Sequence, residues 1–317
     1  MGLAMLNSRV VYADTFGRLP RFPRSYTAPP TLRRPLGGER SSLFNLRQLE
    51  VQLDEADRTL WTFMKPEGRP AFNPAMLKDY QRWQDEIART YDASQTPIRY
   101  LVLGSRFPGI FCLGGDLDLF ARCIRAGDRD ALVRYGNACV GILYRNMIGL
   151  DRPIVTIGLV QGDALGGGFE ALLSFNVVVA ERGARFGLPE TTFGLFPGMG
   201  AHCFLSRRLG SAQAERMILG GKMHSAEEMY DLGIVHVLAE PGQGEAAVKD
   251  YIRQHGRRHG GHLGVYRATR TVNPITLEEL EEIVEVWADS ALELQSRDLR
   301  LMERLVLAQS KLRERAG

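Results

Sequence analysis

The feature that most narrows the fold is an apolar run, Pro153-Ile-Val-Thr-Ile-Gly-Leu-Val160, that passes almost directly into Gly162-Asp-Ala-Leu-Gly-Gly-Gly-Phe-Glu170. The run reads as a strand, the glycines as a turn, and the residues from about Gly167 as a helix. The same alternation recurs along the chain. Leu49, Val51 and Leu53 alternate before the polar turn Asp54 to Asp57, and Leu60 to Met64 resumes, which predicts a hairpin. Asn73-Pro74 opens a helix carrying Met76, Leu77, Tyr80, Trp83 and Ile87 at helical spacing. Ile98 to Leu103 predicts a buried strand. Asp116 is placed to cap a helix through Arg125, and a further helix runs to about Met147. Asn176 to Ala180 and Ile234 to Leu238 read as strands; Ala201 to Leu219 and Ser225 to Leu232 read as helical. A glycine-rich break at Gly256 to Gly264 precedes helices over Leu277 to Gln295 and from Asp298 onward. Strands alternate with helices to about residue 240 and helices alone follow, so the class is α/β with an α-helical C-terminal section.

Composition bounds the function classes. A chain of 317 residues, 44% hydrophobic and 24% charged, has enough apolar surface for a sizeable core and is neither disordered nor collagen-like. No apolar run reaches membrane-spanning length, and Leu3 to Tyr12 is interrupted by Asn7, Ser8 and Arg9, unlike a secretory signal. The four cysteines, Cys112, Cys123, Cys139 and Cys203, form no CxxC pair and read as reduced thiols of a cytoplasmic protein. The formal charge of +3 is uneven: residues 1–50 hold eight arginines against three acids. Residues 1–43 therefore read as a basic, Pro-rich, loosely ordered arm, with residues 44–255 as the core and 256–317 as the helical section. Nucleic-acid arms carry lysines and denser clusters, so a solvated tail or an oligomer-packing arm is the expected role.

Several familiar sites are missing. The chain has no GxxxxGK[ST], HExxH, GxSxG or strand-to-helix GxGxxG. His255, His259 and His262 have tempting spacing, but no acid or cysteine stands beside them; the segment is expected to be a loop and to hold no metal.

The remaining motifs converge on carbonyl chemistry. The glycines of the 162–170 segment let a ligand approach the backbone, and the first N–H groups of the following helix lack intrahelical partners. Such groups suit a developing oxyanion. Phe111-Cys-Leu-Gly-Gly-Asp-Leu117 is a second glycine turn before a helix. Phe186-Gly-Leu-Pro-Glu190 sets a carboxylate 20 residues after Glu170. On spacing alone Glu170 serves equally well as a proton carrier or as a complement to the helix dipole.

Taken in order, FCLGGDL, GDALGGGFE, FGLPE and GLFPGMG resemble the crotonase superfamily, which includes enoyl-CoA hydratases and isomerases, over roughly residues 45 to 315. The resemblance implies a spiral of ββα units whose C-terminal helices complete the pocket and an oligomer contact, in a homotrimer or hexamer. It implies an oxyanion hole from the backbone N–H groups of Gly115 and Gly167, with Glu170 and Glu190 moving protons and Leu165 and Gly166 lining the substrate. Where the family commonly has A-G-A-D, this chain has Leu113-Gly114-Gly115-Asp116. The segments GDLDLFARCIRAGDRDALVRY, GLPETTFGLFPGMGAH and EVWADSALELQSRDLRLMERLV resemble the bacterial diffusible-signal-factor synthases. That subgroup makes cis-2-unsaturated fatty acids from 3-hydroxyacyl carrier-protein thioesters by dehydration and release of the acid. It implies no cofactor beyond the acyl carrier protein or CoA that bears the substrate, and a sensor-kinase regulator as a partner. It also makes Trp287 a candidate wall of the acyl pocket; packing with Leu280 and Ile283 is the alternative. Met199 and Phe196 read equally as core or pocket. Removing the α-proton of a thioester needs a base, and expelling the 3-hydroxyl needs an acid. Two carboxylates at one cavity repel, so that one keeps its proton. Arginines between Arg122 and Arg134 are expected to dock an acidic carrier, unless they form a solvated face balanced by Asp128 and Asp130.

Overall fold

The alternating segment at the start of the core becomes an antiparallel hairpin, β1 (Leu49–Asp54) and β2 (Thr59–Met64), with Leu49 opposite Met64. The computed structural model describes residues 42–91 and 98–316; the expected N-terminal arm, but for its last two residues, lies outside them. Helix α1 (Pro74–Thr90) starts where Asn73 accepts a hydrogen bond from the N–H of Met76 and proline occupies the first turn. Then follow β3 (Tyr100–Ser105), β4 (Ile110–Cys112), α2 (Leu117–Ala126), α3 (Arg129–Met147), β5 (Val155–Val160), β6 (Asp163–Leu165), α4 (Gly167–Leu172), β7 (Val177–Glu181) and β8 (Arg185–Gly187). The remaining elements are α5 (Ala201–Leu209), α6 (Ser211–Gly220), β9 (Met223–Ser225), α7 (Ala226–Asp231), β10 (Val237–Ala239), α8 (Gly244–His255), α9 (His259–Val272), α10 (Leu277–Leu292) and α11 (Ser296–Ala316).

The strands divide into two sheets. A six-stranded sheet runs β1-β2-β3-β5-β7-β10, and a four-stranded sheet runs β4-β6-β8-β9. Three successive units each send a long strand to the first sheet and a three-residue strand to the second: β3-β4, β5-β6 and β7-β8. The expected ββα spiral is this plan. Trp61, Val102, Ile157 and Val177 sit side by side across four strands of the larger sheet. Val248 and Ile252 of α8 cover that row, which makes it the main apolar core.

Three sequence expectations change. The helix read over Ala201 to Leu219 is two helices, because Gly210 adopts φ 82°, which no α-helix accommodates. The segment read as a glycine-rich break is helical: a 3-10 turn, Gly256–Arg258, runs into α9. Tertiary contacts outweigh the roughly 1 kcal/mol each glycine costs a helix. Leu263 and Tyr266 pack on the core, and a His259 ring nitrogen lies 3.0 Å from the carbonyl oxygen of Arg99. The three histidines there belong to no metal-binding group among the described residues. The third change is the smaller sheet itself, whose four strands of three residues the periodicity does not resolve. No described helix is long and apolar enough to cross a membrane.

Candidate active site

The smaller sheet delivers all three motifs to one place. β4, β6 and β8 run parallel in that order, so their C-terminal ends lie side by side. Gly115 follows the end of β4, Gly167 follows the end of β6, and Glu190 follows the end of β8. Crevices beyond the carboxyl ends of parallel strands are where such folds hold ligands.

The two glycine turns touch. Gly114 has φ +94°, and a Cβ there would stand 2.8 Å from the Gly167 nitrogen and 3.1 Å from the Leu165 carbonyl oxygen. A Cβ on Gly167 would meet the Met199 sulfur at 2.5 Å and the Gly115 nitrogen at 3.4 Å. The N–H groups of Gly115 and Gly167 therefore lie close together, and neither donates to another described residue. Leu165, 4% exposed, ends β6, and the Gly166 N–H donates to the Gly187 carbonyl at 2.8 Å, tying the second turn to β8. Because α4 has only six residues, the free N–H groups themselves, rather than a long helix dipole, supply the positive potential.

Helix α3 holds the first turn from behind. The Tyr135 hydroxyl donates to the Phe72 carbonyl at 2.6 Å and accepts from the Asp116 N–H at 3.2 Å. Asp116 caps α2 through the Leu119 N–H and pairs with Arg69 at 2.7 Å. Nothing in the spacing of Tyr135 announces this role, since it reads as one more residue of a helical stripe.

The two carboxyls differ in their surroundings. Glu170, 1% exposed, accepts on Oε1 from the Met199 N–H at 2.8 Å and the Ala201 N–H at 3.0 Å. Burial pushes its pKa up to about 7, and those two donors restrain the rise. Glu190 lies in the 3-10 turn Pro189–Phe193, with Oε1 only 2.4 Å from where a Cβ of Gly166 would sit. Gly166, at φ +51°, is thus a cradle for that carboxyl. The Oε2 of Glu190 is buried and has no partner among the described residues. Burial, and then the charge of Glu170, hold its pKa well above the carboxylate range. Glu170, with two donors, is the easier of the pair to ionise; Glu190 is the one that keeps a proton. The arrangement can therefore stabilise an oxyanion on two N–H groups while one carboxylate takes a proton and one carboxyl gives it.

Trp287 is 5% exposed on α10, and a Cβ on Gly198 would strike its ring at 2.4 Å. Its ring also stands edge-on to Phe120 at 5.0 Å. It braces the Gly198-Met199-Gly200 loop, whose Met199 N–H holds Glu170. Phe196 is not among the residues that contribute to this geometry, whereas Met199 touches both Gly167 and Glu170. The arginines expected to dock a carrier are largely engaged: Arg122 with Asp118, Arg125 with Glu303, and Arg129 with Glu285 and Asp289. The C-terminal helices supply most of those acids.

Comparison with known proteins gives the family and the fold. The enoyl-CoA hydratase/isomerase family model matches residues 60–255. The chain belongs to that family. It is 29% identical over 183 residues to the mitochondrial methylglutaconyl-CoA hydratase of Rattus norvegicus, covering 57% of this chain and 54% of that one. The chain spans about half the length of the first curated relatives it matches. Among solved structures, an enoyl-CoA hydratase from Bacillus halodurans superposes with a TM-score of 0.66 at 23% identity, covering 81% of this chain and 100% of that chain. DspI of Pseudomonas aeruginosa superposes with a TM-score of 0.57 at 25% identity, covering 82% and 94%. The expected α/β crotonase-like fold and family membership hold.

Proposed function

We propose that this family member interconverts 3-hydroxyacyl and 2-enoyl thioesters, and that it works in the dehydrating direction on an acyl carrier-protein thioester before releasing the cis-2-unsaturated acid. The observation that carries the reading is the convergence of two free N–H groups and two carboxyls of unlike proton affinity at the ends of three parallel strands. Gly115 and Gly167 hold the thioester oxygen as charge develops on it, an interaction worth about 3–4 kcal/mol per key donor in such sites. In the elimination direction one carboxylate takes the α-proton and the other carboxyl protonates the departing hydroxyl. In the addition direction the roles reverse, as microscopic reversibility requires. Because Glu190 holds its proton more firmly than Glu170, the pair offers one acid and one base, and the same two residues serve both directions.

The carrier preference and acid release rest on the resemblance to the signal synthases and on the likeness to DspI. Hydrolysis would reuse the same N–H pair, with a carboxylate activating water against the enoyl thioester. The test is incubation of the protein with a 3-hydroxyacyl carrier protein and with the matching 3-hydroxyacyl-CoA, followed by analysis of free acids and double-bond geometry. Dehydration with release of free cis-2 acid from the carrier thioester is expected. A sharp preference for CoA with no free acid would reduce the reading to that of an ordinary enoyl-CoA hydratase.

A further inference from the structure

Trp287 meets the candidate active site on two sides. On one, its indole lies where a Cβ of Gly198 would stand, and the next residue, Met199, gives Glu170 one of its two donors. On the other, its ring stands edge-on to Phe120. The Phe120 ring in turn covers Gly115, where a Cβ would meet its tip at 2.5 Å. The Tyr135 ring, edge-on to Phe120 at 5.1 Å, ends the row, and its hydroxyl holds the Asp116 N–H beside Gly115. A row of contacts therefore runs from the first oxyanion donor, through Phe120 and Trp287, to the loop that holds the more readily ionised carboxyl.

Helix α10 is seated to keep that row in place. Leu280, Val284 and Trp287 are buried on one face of it, at helical spacing. Each presses on a glycine: Leu280 on Gly200, Val284 on Gly136 of α3, and Trp287 on Gly198, where an added Cβ would come under 3.0 Å in every case. Glycine leaves no side chain between helix and backbone at those points, so a displacement of α10 passes directly to both neighbours. The titratable groups facing Glu170 are Glu190 and the Cys139 thiol of α3, both pushed up by burial. Its ionised form is favoured by the Met199 and Ala201 N–H groups of the loop.

We propose that Trp287 is a positioning residue for both halves of the site at once: its indole couples the turn that carries Gly115 to the loop that carries the Met199 and Ala201 N–H groups, so that neither shifts alone. The inference rests on the thioester reading for what those two halves do. Its test is the titration of Glu170 itself, followed by NMR in protein with isotope-labelled glutamate carboxyls, the resonance being identified by its loss in Glu170→Gln. Trp287→Leu takes the indole from both neighbours and lets the loop draw its donors away. The midpoint, about 7 in the wild type, should then rise by about half a pH unit or more. Trp287→Phe keeps a ring in the row and should move it less, in the same direction. Phe120→Leu is the decisive variant, because in the proposed row Phe120 reaches Glu170 only through the indole. It should raise the midpoint when Trp287 is present and leave it unmoved in the Trp287→Leu background. Coupling is reciprocal, so a shift read at Glu170 on cutting at Phe120 reports the link in both senses. A midpoint unmoved in both Trp287 variants, or a Phe120→Leu shift that persists in full without the indole, would overturn the inference. The titration needs no turnover, so hydration and dehydration of a short acyl-CoA test the thioester reading separately. Turnover with an unmoved midpoint defeats only the inference, and a moved midpoint without turnover defeats only the proposed activity.

Discussion

The two sheets of this molecule divide labour. The six-stranded sheet has four strands of six residues, a continuous apolar row and none of the candidate site residues. The four-stranded sheet has strands of three residues, too short to carry a periodic signal, yet three of them end at the glycines and the glutamate of the site. Burial gives the first sheet its stability, while the second sets where the site residues stand. A protein built this way should lose stability and activity through different residues.

The largest separation is expected at the carboxyls. Glu170→Gln or Glu190→Gln should cut turnover by about 10²-fold or more while the protein still folds, read from kcat beside thermal melting. Wild-type rates in both variants would remove the pair from the chemistry. Next comes a matched pair of substitutions. Leu159→Ala in β5, at a position with no solvent exposure, should cost about 2–5 kcal/mol of stability and leave kcat of the folded fraction unchanged. Gly167→Ala should do the opposite. Its Cβ meets only the end of the Met199 side chain at under 3 Å, so the fold can yield, but the methyl and the displaced sulfur crowd the N–H pair. A loss of about tenfold in kcat/KM at nearly constant melting temperature is expected. If Gly167→Ala instead unfolds the chain with normal specific activity, the division between the sheets fails.

The smallest effect concerns pH. Both glutamates have folded pKa values raised above their unfolded ones, Glu170 to about 7. Their contribution to stability is therefore fully present below about pH 4.5; that of Glu170 is lost as pH rises through about 7, and that of Glu190 as pH rises through its own raised value, because the native state holds protons that the unfolded chain has released. Glu190→Gln removes one of the two titrations. Its melting temperature should exceed that of the wild type by about 2 °C or more above pH 7, with the gap closing toward pH 5. A gap of the opposite sign would mean that Glu190 is ionised in the resting protein.

What could be read from the sequence follows the same division. The hairpin, the Asn73 and Asp116 caps and the strand before Gly162 were legible because their signals are local: alternation, a capping oxygen, a proline in the first turn. The glycine turns and both glutamates were legible as motifs, although their neighbours β4, β6 and β8 were not. The break at Gly210 was hidden because helical spacing continues across it, and only the observed φ marks the turn. The helix after His255 was hidden for the reverse reason, since its glycines argue against a conformation that packing imposes. Tyr80 and Trp83 read as an ordinary buried helix face, which they are; that their polar atoms have no partner is a tertiary fact with no local signal.

The two free N–H groups come from turns in different ββα units and lie together only while β4 and β6 remain paired. Their proximity is thus a property of one short parallel ladder, not of the chain as a whole. Excursions that open β4 from β6, while the larger sheet stays protected from solvent exchange, would abolish the site long before circular dichroism reported any melting. Activity in this protein is accordingly a local thermometer. On heating or in mild denaturant it should vanish ahead of global unfolding and return on cooling at the rate at which two three-residue strands find each other again.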